Sequence, residues 1–454
     1  MYNASVVIPT YNRSELLEMT LNSLTRQQLN PEFRFEVIVV DDGSDDDTRD
    51  IVKQFKTRFS NLRYYYQKNK GYRVARARNI GTKKSKGELI IFVDSGVIVS
   101  ENFVYEHCKA HGFCENFVVI GTVYGFQATL DDKIFFNVFD NNNLSETFLR
   151  LKNNARFHDP RYGWYKSCNF DIKNAFAPWI FFWTCNVSVK KRLLISAGMF
   201  DENYNSWGVE DLDLGYRLFK SKASFVVGKN ADAIHYPHCT VAETDNKNNS
   251  NNKNLIYFHK KYHCLETEMC LGWKGPTLDR EVGKLWNDSP YEMFDFNCLL
   301  GTKILNGFND KKVLVVGGGN GSIIGLMNNA DILEINKENV KKIMTFYPKS
   351  KVYNLLGAYT HFDEKEYDIV FITDFFQYLS RDWLIKVLIE SMRIGENIYI
   401  LHGVTIKDQI MLSVSQEKID ECTRLIPTNK DNHNDIVIKD GDVILNLIQI
   451  CKHL

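Results

Sequence analysis

The sequence predicts an α/β protein of two domains, each built around a mostly parallel sheet with helices on both faces. The chain has 454 residues, whereas a single hydrophobic core rarely grows beyond about 250–300 residues. Short apolar runs alternate with helix-like stretches near the N-terminus, and the same alternation starts again at Lys311. Alternation of this kind is typical of strands that lie side by side in a parallel sheet.

In the first domain, four apolar runs are predicted strands, at residues 5–9, 35–40, 62–66 and 88–93. The stretches between them predict helices, at residues 13–27, 47–59 and 74–84. Ligands of such sheets bind at the carboxyl ends of the strands. The segments there are polar and suit a nucleotide: residues 9–13, 41–44 and 94–96.

The second domain begins at Lys311, with predicted strands at residues 313–316, 331–335, 367–372, 397–401 and 443–448. Before it, residues 245–254 are polar and of low complexity, so they predict a mobile loop or a linker. The stretch that follows is helix-like and aromatic. The predicted division is a first domain over residues 1–260, a helical connector over 261–304 and a second domain over 305–454.

Composition excludes several classes of protein. Lys and Arg together number 56, and so do Asp and Glu together. The chain therefore has no excess of positive charge that would favour nucleic acid as its main partner. No run approaches the roughly 20 apolar residues of a membrane span, and the N-terminus has no signal-peptide pattern. The ten cysteines show no CxxC pair and predict reduced thiols of a cytoplasmic protein. Peripheral membrane contact and the oligomeric state stay open.

Polar motifs of the first domain have a chemical rationale for a nucleoside diphosphate. A carboxylate at a strand end, as at Asp41 or Asp42, can accept the imide N–H of a uracil, and Tyr11 can stack on the base. The guanidinium of Arg78 suits bidentate contact with phosphate. Asp94 can contact the ribose or a divalent cation, a hard ion that prefers oxygen ligands. Four motifs follow in one order: Pro9-Thr-Tyr-Asn-Arg13, Val40-Asp-Asp-Gly-Ser-Asp-Asp-Asp-Thr48, Gly71-Tyr-Arg-Val-Ala-Arg-Ala-Arg-Asn-Ile-Gly81 and Phe92-Val-Asp-Ser-Gly96.

In this order and these strand contexts, the motifs resemble a family 2 glycosyltransferase of the GT-A fold over about residues 3–260. Residues 41–44 alone would fit a turn and a helix N-cap equally well, so the resemblance depends on the combination. It implies a Rossmann-like, mixed and mostly parallel sheet and a UDP-sugar donor. The implied donor-binding residues are Pro9, Tyr11, Asn12, Arg13, Asp41, Asp42, Arg78, Asp94, Ser95, Trp207 and Gly208.

A second block resembles the acceptor-side motif of galactosyl- and N-acetylgalactosaminyl-type transferases, as in chondroitin polymerase. It reads Trp183-Thr-Cys-Asn-Val-Ser188, Ala197-Gly-Met-Phe-Asp-Glu202 and Trp207-Gly-Val-Glu-Asp-Leu-Asp-Leu-Gly-Tyr-Arg217. An inverting transfer needs a carboxylate that takes the proton of the acceptor hydroxyl. The resemblance implies that Asp211 is this base and that Glu210 binds sugar hydroxyls. A charged start for the following helix is the structural alternative and is compatible with catalysis.

The resemblance also implies a site for Mn²⁺ or Mg²⁺. In relatives, a histidine a couple of dozen residues after the Trp-Gly-x-Glu-Asp block is a metal ligand, and His235 fits that position better than His238. Relatives usually carry Asp-x-Asp where this chain has Asp94-Ser95-Gly96. The implied ligands, Asp94 and His235, therefore lack one carboxylate, and we expect a weakened metal site.

The second domain opens with a strand that runs into a glycine-rich turn, Val313-Leu-Val-Val-Gly-Gly-Gly-Asn-Gly321. Glycines there let backbone approach a cofactor closely. The segment resembles class I S-adenosylmethionine methyltransferases and spermidine synthases, which implies a cofactor site of Gly317, Gly319, Gly321 and Glu334. A dinucleotide-binding domain is the competitor, and the late strand at 443–448 favours the methyltransferase topology. Methyltransferases often have an acidic residue at the position of Val315, and the sequence shows no unambiguous catalytic base. A non-catalytic domain that only packs or recruits is therefore as well supported as an active one.

Together these features predict an inverting glycosyltransferase that moves a hexose or N-acetylhexosamine from a UDP-sugar to a glycan acceptor. The fused methyltransferase-like domain would use S-adenosylmethionine. One alternative is glycosylation of a peptide or small-molecule natural product. Another is a catalytically inactive scaffold that binds sugar nucleotides or glycans.

Overall fold

The computed structural model describes residues 3–28, 33–112, 114–173, 175–238, 244–272, 276–287, 293–327, 330–425 and 433–450. The chain forms two compact units. The first comprises Met1–Leu255 with Gly275–Asp279, and the second comprises Ile256–Lys274 with Arg280–Leu454. Most of the segment predicted as a separate connector, residues 261–304, is therefore part of the second unit.

The first unit contains a mixed sheet of eight strands in the order β3-β2-β1-β4-β7-β6-β8-β5. Strands β1 to β4 are parallel, β7 is antiparallel to β4 and β6, and β5 is antiparallel to β8. The four strands predicted from the sequence are all present. The bounds are β1 (Ala4–Thr10), β2 (Phe35–Asp41), β3 (Leu62–Tyr66), β4 (Leu89–Val93), β5 (Val97–Val99), β6 (Phe117–Tyr124), β7 (Asn186–Lys190) and β8 (Ser224–His235).

Helices cover both faces of this sheet because its central strands are apolar on both sides. In β2, Val37 and Val39 belong to the core that contains the first two helices, whereas Ile38 and Val40 pack with Ala77 of the third. The helices are α1 (Ser14–Thr25), α2 (Thr48–Arg58), α3 (Val74–Lys84), α4 (Phe103–His111), α5 (Lys133–Val138), α6 (Leu144–Lys152), α7 (Tyr162–Ser167), α8 (Lys191–Ser196), α9 (Glu210–Lys220) and α10 (Thr244–Tyr262).

Helix α10 corrects one prediction. Residues 245–254, expected to form a mobile loop or a linker, are helical. Low complexity indicated disorder because the segment has few apolar side chains of its own. The helix continues, however, into a stretch where Leu255 and Phe258 are buried, and Asn254 itself is only 8% exposed. Tertiary packing thus supplies the stability that local composition does not.

The second unit contains a sheet in the order β11-β10-β9-β12-β13-β16-β15, with β14 paired to β13. Strands β9 to β13 are parallel, whereas β16 is antiparallel to both β13 and β15. The bounds are β9 (Val313–Val316), β10 (Asp331–Leu333), β11 (Val352–Tyr353), β12 (Tyr367–Ile372), β13 (Gly395–Ile406), β14 (Gln409–Ser413), β15 (His433–Asp440) and β16 (Val443–Ile450).

The remaining helices are α11 (Leu265–Met269), α12 (Pro276–Asn287), α13 (Lys337–Phe346), α14 (Arg381–Ile394) and α15 (Gln416–Leu425). All five strands predicted for the second domain are present, but β11, β14 and β15 were not predicted. Strand β11 has only two residues, and β14 and β15 are largely exposed strands whose apolar runs, at 410–412 and 436–438, are only three residues long. Among the described residues, no helix combines the length and the apolar sequence needed to cross a bilayer.

Candidate active site

Three predicted donor-binding segments meet at the carboxyl ends of β1, β2 and β4. The Ser95 hydroxyl donates to the Pro9 carbonyl at 3.0 Å. The backbone N–H of Asn12 donates to the Ser44 hydroxyl, and the Asn12 side-chain oxygen accepts from the Asp45 N–H, both at 2.9 Å. Neighbouring strands of one parallel sheet thus bring together loops that are far apart in sequence, as the sequence predicted.

Asp41 holds the turn that follows β2. One of its carboxylate oxygens accepts from the N–H groups of Gly43 and Ser44 at 3.0 and 2.8 Å. The other accepts from the Tyr64 hydroxyl at 2.6 Å. This buried carboxylate therefore shapes the loop, and its predicted contact with a uracil remains a prediction.

Asp42 pairs with Arg73 at the start of α3. Its carboxylate accepts from the Arg73 side chain and backbone N–H, each at 2.9 Å, and from the Gln67 amide at 2.7 Å. Beside this pair, the Tyr11 hydroxyl accepts from the Asn69 amide at 2.8 Å. The Tyr11 side chain is 46% exposed, so its ring is free to stack on a planar ligand.

Arg78 joins the two motif blocks of the first unit. Its guanidinium donates to Asp94 at 2.9 Å and to Glu210 at 3.0 Å, across 132 residues of sequence in the second case. The side chain is 4% exposed and lies over the ring of Phe200, 5.5 Å from the centroid. We predicted a phosphate contact for Arg78. In the structure its guanidinium holds these two carboxylates, and the phosphate contact stays a prediction.

Glu210 and Asp211 occupy the first turn of α9. Glu210 is buried, and its second oxygen has no hydrogen-bond partner in the described part of the chain. Asp211 accepts from the Leu212 N–H at 2.8 Å. Burial and the neighbouring charge of Glu210 raise the pKa of Asp211 to about 7, while Arg78 opposes that shift. A carboxylate with a pKa near neutrality suits general-base catalysis.

His235 lies next to the turn that carries Asp94. It ends β8 and pairs in register with Val97, and the Tyr236 N–H donates to the Gly96 carbonyl at 2.9 Å. Burial, and then the neighbouring His238, lower the pKa of His235 to about 4, against the opposing effect of Asp94. The imidazole is therefore neutral near pH 7, the form that binds metal ions.

Gly96 stands at the position of the second carboxylate of an Asp-x-Asp motif. Gly96 has a φ of 97°, a conformation that residues with a side chain rarely adopt. No group of three metal-ligating side chains occurs within the ranges that the structure describes. A cation here would have Asp94 and His235 as protein ligands, and Asp94 is accessible, with 36% of its side chain exposed.

Two residues of this site escaped the sequence analysis. Tyr72 lies beside these charged groups: its side chain is 38% exposed, and partial burial of its hydroxyl, followed by the charge of Glu210, raises the pKa of that hydroxyl. Asn79 ties α3 to the Ala197–Glu202 block, accepting from the Phe200 N–H and donating to the Phe200 carbonyl, both at 2.9 Å. Both residues lie inside the Gly71–Gly81 motif. Nothing in the sequence of this motif indicates what an aromatic or amide side chain there contacts.

The glycine-rich turn of the second unit packs against side chains of the same unit. A β-carbon on Gly317 would collide with Phe375, and one on Gly321 would lie 2.7 Å from Ile343. We expected these glycines to leave room for a cofactor. The structure shows that they leave room for the chain's own side chains.

Glu334 also binds the turn itself. Its two oxygens accept from the N–H groups of Gly319 and Asn336 at 2.6 and 2.8 Å, and burial raises its pKa to about 7. The segment 293–296 lies against the same turn. Met293 is 3.5 Å from the β-carbon position of Gly319, and the Asn320 amide donates to Asp295 at 3.1 Å. As arranged, these residues do not fit a bound S-adenosylmethionine.

Residues 5–166 match the model of the family described as Glycosyl transferase family 2. Validoxylamine A glucosyltransferase of Streptomyces hygroscopicus subsp. limoneus is 38% identical over 52% of this chain and 51% of its own length. Chondroitin synthase of Escherichia coli is 29% identical over 58% of this chain and 40% of its own length. The solved structure of S. aureus TarS in complex with UDP has a TM-score of 0.40 and 18% identity, over 57% of this chain and 65% of that one.

Within the first unit, residues 5–166 are therefore similar to family 2 glycosyltransferases, and the unit itself has a mixed α/β fold. The relatives that match this part of the chain include a glucosyltransferase, a chondroitin synthase and a hyaluronan synthase. The chain spans about half the length of the validoxylamine A glucosyltransferases that it matches.

Proposed function

We propose that the first unit is an inverting glycosyltransferase that moves a hexose or N-acetylhexosamine from a UDP-sugar to a hydroxyl of a glycan acceptor. The observation that carries this proposal is the Arg78 bridge between Asp94 and Glu210. It joins the donor-side turn to the helix start where Asp211, with a pKa of about 7, is poised as a base.

In this mechanism, Asp211 accepts the proton of the acceptor hydroxyl as that oxygen attacks the anomeric carbon. The new C–O bond forms on the face opposite the leaving group. The bond between the anomeric carbon and the diphosphate oxygen breaks, and UDP departs with the electron pair. The unpartnered oxygen of Glu210 is available to accept a sugar hydroxyl, and Arg78 holds Glu210 in place.

The pKa of Asp211 sets the expected pH dependence. Only the ionised carboxylate can take a proton, so kcat/KM should fall about tenfold per pH unit below pH 7 and level off above it. Glu210→Gln removes a negative charge that helps to raise this pKa, so the fall should move to lower pH in that variant. Profiles of kcat/KM against pH for both proteins test this expectation. A decrease of kcat/KM at the same pH in the wild type and in Glu210→Gln would contradict it.

A divalent cation fits the site through Asp94 and His235, where it would neutralise charge on the leaving diphosphate. Because Gly96 stands where relatives have a ligating carboxylate, we expect a Mn²⁺ dependence that is measurable but weak. Calorimetric titration of UDP, with and without Mn²⁺, should show tighter binding with metal in the wild type and a smaller gain in His235→Ala. Identical UDP affinity with and without metal in both proteins would refute this expectation.

Transfer to a small-molecule acceptor is the second candidate function. It is favoured by the 38% identity to a relative whose name describes glucosylation of validoxylamine A. An inactive scaffold that binds sugar nucleotides or glycans is the alternative outside enzymes. Release of UDP from a panel of UDP-sugars tests the proposal, because a scaffold binds a donor without cleaving it. Acceptor-dependent release with glycan oligosaccharides or small polyols would separate the two acceptor classes.

We also propose that the second unit is a methyltransferase-like domain whose cofactor site is closed by the chain's own residues. Support for the likeness is the strand order, in which the antiparallel β16 is inserted between β13 and β15 instead of continuing the parallel sheet. Support for closure is the packing of Met293, Phe375 and Glu334 on the glycine-rich turn. Such a domain serves packing or recruitment.

Thermal shift tests this closure. A ligand present at about 100 times its dissociation constant adds roughly 2.7 kcal/mol to the stability of the state that binds it. We expect millimolar S-adenosylmethionine, S-adenosylhomocysteine and NAD to leave the melting temperature of the full chain unchanged. A rise with S-adenosylmethionine that disappears in Glu334→Ala would show instead an open cofactor site at the predicted residues.

A further inference from the structure

The turn that precedes the two carboxylates of α9 is strained. Gly208 has a φ of 98° and Val209 a φ of 75°. The left-handed conformation is a genuine outlier for a β-branched residue. Strain of this kind persists only where the surroundings fix the backbone firmly. The surroundings of this turn are therefore part of the site.

Asn254 of α10 fixes this turn. Its side-chain N–H₂ donates to the carbonyls of Ser206, Trp207 and Gly208, at 3.1, 3.3 and 2.7 Å. Its side-chain oxygen accepts from the Ser206 hydroxyl at 3.2 Å. Three consecutive carbonyls require a donor, and an amide supplies both this donor and the acceptor for Ser206. Neither a carboxylate nor an aliphatic side chain could replace it.

Two further residues of the same helix contact the turn. A β-carbon on Gly208 would lie 2.8 Å from the side-chain oxygen of Asn251, so Asn251 packs directly on Gly208. The Lys247 ammonium lies 5.9 Å from the centroid of the Trp207 ring. Positions 247, 251 and 254 follow the i, i+4, i+7 spacing of one helix face. This face of α10 therefore packs along the Trp207-Gly208 turn.

The turn determines where α9 begins. The Val209 carbonyl accepts from the Asp213 N–H at 2.9 Å, and Glu210 and Asp211 are the next two residues. We propose that Asn254 is a positioning residue, which holds this turn so that Asp211 is directed at the acceptor hydroxyl. This inference rests on the proposed glycosyl transfer. A displacement of about 1 Å at a reacting group can cost on the order of 100-fold in rate.

Asn254→Asp tests the proposal, because the carboxylate has the same shape but turns acceptor oxygens towards three carbonyls. The matched control is Asn252→Asp, which adds the same charge at an exposed position of the same helix. We expect kcat for UDP release to fall about 10- to 100-fold in Asn254→Asp. The KM for the donor and the affinity for UDP should stay within about threefold of wild type. The control should match the wild type in all three.

The split between kcat and KM separates positioning from a loss of donor affinity, and the stoichiometry of UDP binding measured by calorimetry separates it from a reduced fraction of folded protein. Should Asn254→Asp not fold by circular dichroism, Asn254→Ser retains one donor without adding charge, and a fall in kcat of at least about fivefold is expected. A kcat within about threefold of the Asn252→Asp control in the folded variant would overturn the inference, as would a loss confined to UDP affinity. Wild-type protein that releases no UDP from any donor would overturn the proposed function as well.

Discussion

Asp211→Asn is expected to lower turnover by on the order of 10²–10⁴-fold while leaving UDP affinity nearly unchanged. The amide is similar in shape but cannot take the proton of the acceptor hydroxyl. Asp211 also lies in the first turn of α9 and not in the loops after β1 and β2, where the nucleotide is predicted to bind. The measurements are steady-state rates with the best donor and calorimetric titration of UDP.

The control for this substitution is Asp50→Asn, which removes an exposed carboxylate from the first turn of α2. It reports the effect of losing a charge near a helix start without touching the site. Asp211→Asn turning over within about threefold of the wild type would remove Asp211 from the role of base. A large loss of UDP affinity in the same variant would place the residue on the donor side instead.

Arg78→Met should have the largest effect on stability among the substitutions considered. It leaves Glu210 buried without its cation and Asp94 without its partner. Removing one partner of a buried pair costs about 3–5 kcal/mol, and the partial exposure of Asp94 favours the lower end. A loss of about 3 kcal/mol corresponds to a fall of roughly 6–12 °C in the melting temperature of a domain of this size.

Arg76→Met is the matched control, two residues earlier in α3. Its side chain is 53% exposed and its ion pair with Glu202 is long, at 3.9 Å. Such a pair contributes about 0–1 kcal/mol. Equal melting temperatures for the two variants would show that the Arg78 bridge does not stabilise the unit. Turnover of Arg78→Met should also fall, because Glu210 loses the contact that positions it.

Much of the first unit was predictable because its strands are short apolar runs with polar residues at their carboxyl ends. This pattern located β1 to β4 and the loops that contain Asp41 and Asp94. Pairing between distant side chains was not predictable. The guanidinium of Arg78 was assigned to phosphate because the sequence does not show that Glu210, 132 residues later, lies within 3.0 Å of it.

Two other predictions took composition as a guide to environment. The asparagine-rich segment at 245–254 indicated disorder, yet the side chain of Asn254 satisfies three carbonyls that no local pattern identifies. The glycines of the second unit indicated a cofactor. A glycine required by a neighbouring Phe375 gives the same sequence signal as one required by a ligand.

The stereochemistry of the transferred sugar tests the proposed mechanism most directly. The reaction would contain wild-type protein, a UDP-α-sugar that it cleaves and a matching acceptor. Proton NMR would follow the formation of the product, and mass spectrometry would confirm the mass of the transferred sugar. Direct attack assisted by Asp211 predicts a β-linked product from the first turnover, and none from Asp211→Asn. An α-linked product would contradict direct displacement, and UDP release without any glycosylated product would contradict transfer itself.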